Sequence, residues 1–139
     1  MWNYEYALQT TATPDSLWRR WSDMAGWPAW NDGIATIVVH GPFEAGTTFT
    51  MTPPSGEPIT MRLTEIVPGE LFTDEMDAGD FVVTTVHRLE PLAGGARIVY
   101  RTEITGPAAD KVGPWLGPAI TADFPQVLAK LAALASATE

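Results

Sequence analysis

The chain has 139 residues, 45% of them hydrophobic and 18% charged, with 17 Asp+Glu against 8 Lys+Arg and a formal charge of −9. That composition excludes a disordered polypeptide, and the acidic balance argues against nucleic acid and anionic membrane surfaces as partners. With no cysteine there are no disulfides, thiol nucleophiles or Cys-based metal sites, which fits a cytoplasmic protein.

Residues 1–139 read as one domain, with no internal repeat or linker. The start, Met1 to Leu8, alternates apolar and polar residues and lacks the basic and apolar regions of a signal peptide. Trp2, Tyr4, Tyr6 and Leu8 have the period of a half-buried strand. Thr13-Pro14 supplies a helix cap and a proline at the first helical position, and Leu17, Trp18 and Trp21 share one face of the helix that follows. A second short helix begins near Ser22 or Asp23, made irregular by Pro28. Trp18, Trp21, Trp27 and Trp30 crowd this region, each able to bury about 150–250 Å² of surface. They either cap a core or line a wall.

Six strand-like segments come next: Ile34–His40, Thr47–Thr52, Ile59–Val67, Leu71–Met76, Asp80–Glu90 and Ala96–Thr105. The separators are rich in Gly, Pro and Asp and too short for parallel crossovers, so the strands form an antiparallel meander. Leu116, Ile120, Phe124, Val127, Leu128, Leu131 and Leu134 then follow helical spacing. Pro125 inside that stripe removes a donor and should free the carbonyl of Thr121, bending the helix there. The greasiest stretch, Val127 to Ala135, is broken by Lys130 and is too short to span a bilayer. The expected fold is α+β: a seven-stranded antiparallel sheet curled around a long C-terminal helix, with two short helices after strand 1 lying across one open end.

This order of elements resembles the START-like helix-grip superfamily (SRPBCC), and within it the polyketide cyclase/dehydrase-type family. The residues that carry the resemblance are Thr13-Pro14-Asp15-Ser16-Leu17-Trp18, Trp21-Ser22-Asp23, Trp27 to Ile34, Gly41-Pro42-Phe43 with Gly46, Glu65 to Pro68, and His87 to Glu90 with Gly94 to Arg97. The resemblance implies a hydrophobic cavity between sheet and long helix. Such families include lipid and hormone carriers, aromatase/cyclases and stress-related proteins, and share no single catalytic motif that transfers to this chain.

Strand parity assigns the inward faces. Arg88 should reach water, so Phe81, Val83, Thr85, His87 and Leu89 face in. The expected cavity lining is Trp27, Trp30, Phe49, Met51, Met61, Phe72, Met76, Phe81, Val83, Thr85, His87, Ile98, Tyr100, Trp115, Ile120 and Phe124, apolar with few polar groups, as suits a small-molecule site. The same residues would also serve as plain core. His87 is the first catalytic candidate, as general base or as an orienting group; otherwise it is a neutral histidine bonded to a neighbour such as Tyr100 or Thr85. Tyr100 would donate to a ligand oxygen or place its hydroxyl at the rim. Asp74 shares inward parity with Phe72; a bulge turning it to solvent is the preferred reading, and burial would raise its pKa. Asn31 and Asp32 read as turn caps.

Metal ligands at recognisable spacing, phosphate loops and a nucleophile elbow are absent from the sequence, and His40 beside Gly41-Pro42 reads as exposed. No cofactor is implied. The leading function is binding of a small hydrophobic molecule, aromatic or polyketide-like, inside the cavity. The alternatives are a cyclase/dehydratase-type enzyme with His87 moving a proton, and a protein-interaction module. Nucleic acid and membrane insertion are not expected, and a homodimer stays open.

Overall fold

A computed structural model describes residues 1–137. Strand β1 (Trp2–Thr10) leads into helix α1 (Pro14–Ser22) and a 3₁₀ helix (Met24–Ala29). Strands β2 (Thr36–Val39), β3 (Thr48–Thr52), β4 (Ile59–Val67), β5 (Leu71–Asp77), β6 (Val82–Leu92) and β7 (Gly95–Thr105) follow, then helices α2 (Ala109–Thr121) and α3 (Phe124–Ala137). The sheet order is β1-β7-β6-β5-β4-β3-β2, antiparallel throughout. This is the expected meander, extended at one edge by the first strand pairing with the last. It bears out the helix-grip arrangement.

Local chemistry explains the boundaries. The Thr13 hydroxyl accepts from the Ser16 amide at 3.1 Å and Pro14 opens α1, so this helix starts where cap and proline place it. The Ser16 hydroxyl donates to the Ala135 carbonyl at 2.6 Å and ties α1 to the end of α3. At the β6–β7 hairpin Gly94 takes a φ of 83°, and a side chain at Gly95 would collide with the Thr10 carbonyl of β1.

Two strands depart from expectation. β2 is shorter than Ile34–His40, because the Ile34 amide closes a turn onto the Asn31 carbonyl. β6 starts later than Asp80, because Asp77 to Phe81 form a turn in which the Asp77 carboxylate accepts from Gly79 and the Ala78 amide donates to the Phe81 carbonyl. The last helical segment bends near the expected place: α2 ends at Thr121, and α3 begins at Phe124 with Pro125 in its first turn.

The main core gathers Leu17 and Trp21 of α1, Phe49, Leu63, Phe72, Leu89 and Ile98 of the sheet, and Leu128, Leu131 and Ala135 of α3. A smaller cluster holds Val83, Ile104 and Ala109 with Trp2, Phe81 and Leu116 against them. Among the described residues no helix is long and apolar enough to cross a membrane.

Candidate functional site

The two clusters do not merge. Between the inner face of the sheet, the 3₁₀ helix and the junction of α2 with α3 lies a cavity of about 380 Å³. Its wall includes Trp27 and Trp30 of the tryptophan cluster, and Met51, Met61, Phe72, Met76, Val83, Thr85, His87, Tyr100, Ile120 and Phe124, where parity and helical spacing placed them. Asn31, Gly33, Ile34, Ile59, Asp74, Ala119, Asp123 and Val127 complete it.

Four expected lining residues stand elsewhere. Phe49 is fully buried behind Trp27, its ring edge-on at 5.5 Å. Ile98 is fully buried in the main core, paired in register with Leu8 and Leu89. Phe81 lies in the turn before β6 and packs in the smaller cluster. Trp115 is 64% exposed. It sits two residues from both Gly113 and Gly117, whose faces press on Trp2, so helical geometry turns it to solvent.

The tryptophan cluster divides its work. Trp21 is fully buried, with its indole N–H 3.3 Å from the Tyr100 hydroxyl. Trp27 donates to the Trp21 carbonyl at 2.9 Å, which fixes its ring as a cavity wall. Trp30, 3% exposed, also lines the cavity, and its indole N–H has no partner among the described residues.

Cross-strand register arranges the polar wall in two rows. Phe72, His87 and Tyr100 stand opposite one another on β5, β6 and β7. Two residues along, about 7 Å away at strand spacing, Asp74 faces Thr85 and Thr85 faces Thr102, the two threonine hydroxyls 2.9 Å apart.

In the first row the His87 Nδ1 is 3.1 Å from the Phe72 carbonyl. A carbonyl can only accept, so the hydrogen is on Nδ1 and the Nε2 lone pair is bare. Burial lowers the His87 pKa from 6.5 to about 3, against the opposing pull of the Phe72 bond. The ring is therefore neutral near pH 7, as one of the two sequence readings has it, though its partner is neither Tyr100 nor Thr85. Burial also drives the Tyr100 hydroxyl well above its usual range, and the bond from Trp21 offsets this only in part.

In the second row Asp74 corrects the preferred sequence reading. It is 6% exposed, and burial raises its pKa from 3.8 to about 7. The register shift that could have turned it outward lies on β4, between Leu63 and Glu65, so β5 keeps its alternation and Asp74 faces in. Asp123, between α2 and α3, is half-buried with its pKa also raised by burial. Asn31 caps a turn, accepting from Gly33 at 3.0 Å, while also reaching the wall; Asp32 pairs at the surface with Lys130 at 2.8 Å. His40 is exposed.

The wall residues missed by sequence left some trace. Ile59 shares the parity of Met61, and Asp123 and Ala119 stand four and eight positions before Val127 of the helical stripe. Among the described residues no three His, Asp or Glu side chains cluster closely enough to hold a metal ion.

A family model described as polyketide cyclase/dehydrase and lipid transport matches residues 1–136. No curated protein matches the chain in sequence. Among solved structures, the di-domain ARO/CYC StfQ from the steffimycin biosynthetic pathway superposes with a TM-score of 0.78 at 17% identity, covering 98% of this chain and 51% of that one. The chain thus spans about half the length of that relative. Norcoclaurine synthase from Thalictrum flavum, in complex with dopamine and hydroxybenzaldehyde, gives a TM-score of 0.78 at 16% identity, covering 99% of this chain and 87% of that one. A protein from Thermus thermophilus gives 0.76 at 15% identity, covering 99% of both chains. At these identities the likeness concerns the fold.

Proposed function

Since the chain belongs to the polyketide cyclase/dehydrase and lipid transport family, we propose that it binds a small hydrophobic, aromatic molecule in the cavity between sheet and C-terminal helices. The observation that carries this reading is a space of about 380 Å³ walled by Trp27, Trp30, Phe72, Phe124 and three methionines. Burying a guest there removes apolar surface from water at about 25 cal/mol per Å². Methionine side chains adjust to irregular shapes, which suits a wall that must fit a guest. The Nε2 lone pair of His87 would accept from a ligand hydroxyl, and the Tyr100 hydroxyl would donate to a ligand oxygen.

Native mass spectrometry of freshly purified protein, followed by titration with aromatic ligands read by tryptophan fluorescence, tests the reading. Ile120→Trp fills the space from the helix side; it should leave the fold intact and weaken binding by about tenfold or more, about 1.4 kcal/mol. Binding unaffected by that substitution would place the ligand elsewhere.

Asp74 favours a second reading, an enzyme of the cyclase/dehydratase type. A buried carboxyl with a pKa of about 7 in the cavity wall can take and return a proton near neutral pH. His87, held neutral and far less basic, is the weaker proton shuttle of the two. In this reading the cavity folds a flexible substrate into a reactive geometry and Asp74 moves the proton. The corresponding test is the pH profile of turnover: an ionisation near pH 7 should be present in the parent protein and absent in Asp74→Asn.

A further inference from the structure

We propose that the guest of this cavity is an organic cation, an aromatic body bearing a protonated amine, with its nitrogen held between Asp74 and Asp123. The proposal rests on the cavity reading above and adds the charge of the ligand.

The ionisable side chains in the wall are Asp74 on β5, His87 on β6, Tyr100 on β7 and Asp123 between the two C-terminal helices. Among the described residues no lysine or arginine contributes to it. Asp74 is 6% exposed and has no side-chain partner among the described residues; its one stabilising contact is its own backbone amide. A carboxylate in such a place is costly unless something compensates it.

The protein does not supply the missing charge. His87 is neutral, with its proton committed to the Phe72 carbonyl, and the Tyr100 hydroxyl is protonated and uncharged. A protonated amine would supply it. The rings of Trp27, Trp30 and Tyr100 in the wall suit the same guest, since aromatic rings attract a cation as well as an apolar body. A chain charge of −9 raises the local concentration of cations and lowers that of anions. A carboxylate or phosphate guest would meet two acidic groups and no counter-charge.

The experiment uses three probes on one ring system, 1-naphthylmethylamine, 1-naphthalenemethanol and 1-naphthoic acid, titrated calorimetrically at about pH 8, where Asp74 is mostly ionised. The amine should bind at least about tenfold tighter than the alcohol, and the acid weakest. Asp74→Asn should cost the amine about tenfold while leaving the alcohol within about threefold, and Asp123→Asn should cost the amine less. Asn nearly matches Asp in shape and removes a buried charge, so the variant should fold, and the probe series on the parent protein decides the matter without it. Alcohol binding as tightly as amine, or an amine preference intact in both variants, overturns the charge assignment and leaves the cavity reading in place. Failure of all three probes to bind overturns both.

Discussion

The His87 imidazole lies flat on the Phe72 ring, centroids 3.9 Å apart and planes 4° apart, while its Nδ1 reaches the carbonyl of that same residue at 3.1 Å. One neighbour thus fixes both the plane and the tautomer of the histidine. Side-chain ¹⁵N NMR checks this. Nδ1 should read as the protonated nitrogen and Nε2 as the bare one, unchanged from about pH 8 to about pH 5. A His87 signal that moves through a midpoint near 6.5 would contradict the burial argument.

Asp74 and His87 give stability an uncommon pH dependence. The Asp74 pKa is raised on folding from 3.8 to about 7, so its contribution is full below 3.8 and is lost as pH rises through 7. The His87 pKa is depressed from 6.5 to about 3, so its contribution is full above 6.5 and is lost as pH falls toward 3. Between about pH 4 and 6.5 the two largely offset one another. Asp74→Asn should therefore stabilise by about 1–3 kcal/mol at pH 8, change little at pH 4, and expose a fall in stability below pH 6.5. Chemical denaturation across that range measures it; an equal effect of the substitution at pH 4 and pH 8 would show that Asp74 is not buried.

Gly113 and Gly117 let α2 lie directly on the Trp2 ring of β1, and a methyl group at either position would run into that indole. Gly117→Ala should destabilise by about 1–3 kcal/mol, although alanine is the better helix former by about 1 kcal/mol. In a Trp2→Ala background the same change should be neutral or stabilising, because the obstacle is gone. A double-mutant cycle read by thermal melting checks the coupling, and additive costs would contradict the contact. Since α2 carries Ala119 and Ile120 into the cavity wall, the same pair should also tune ligand affinity.

Much of this architecture was legible in the residues. Gly, Pro and Asp punctuate every hairpin, and period-two alternation put Val83, Thr85, His87 and Tyr100 on the inner face, where they are. Thr13-Pro14 marked the start of α1 and Pro125 the bend in the last helical segment. Other features depend on information that no single segment carries. Whether Asp74 faced in hinged on which strand of the β4–β5 pair held the bulge, and alternation within β5 is silent about its neighbour. Trp115 looked like lining because it is large and apolar, yet the face of α2 that packs is set by two glycines meeting Trp2, a contact between opposite ends of the chain. Phe49 and Ile98 had the right parity, but parity does not separate a solid core from the wall of a void.

The account stands on a guest entering the space between sheet and helices, and the methionines report on that space. Met51, Met61 and Met76 line it, whereas Met1 is exposed and Met24 lies in the main core. With ¹³C-labelled methionine methyl groups and a small apolar aromatic ligand such as N-phenyl-1-naphthylamine, the account predicts saturable one-site shifts at Met51, Met61 and Met76, with Met1 and Met24 unmoved. Shifts that do not saturate, or that are largest at Met1 or Met24, would contradict it.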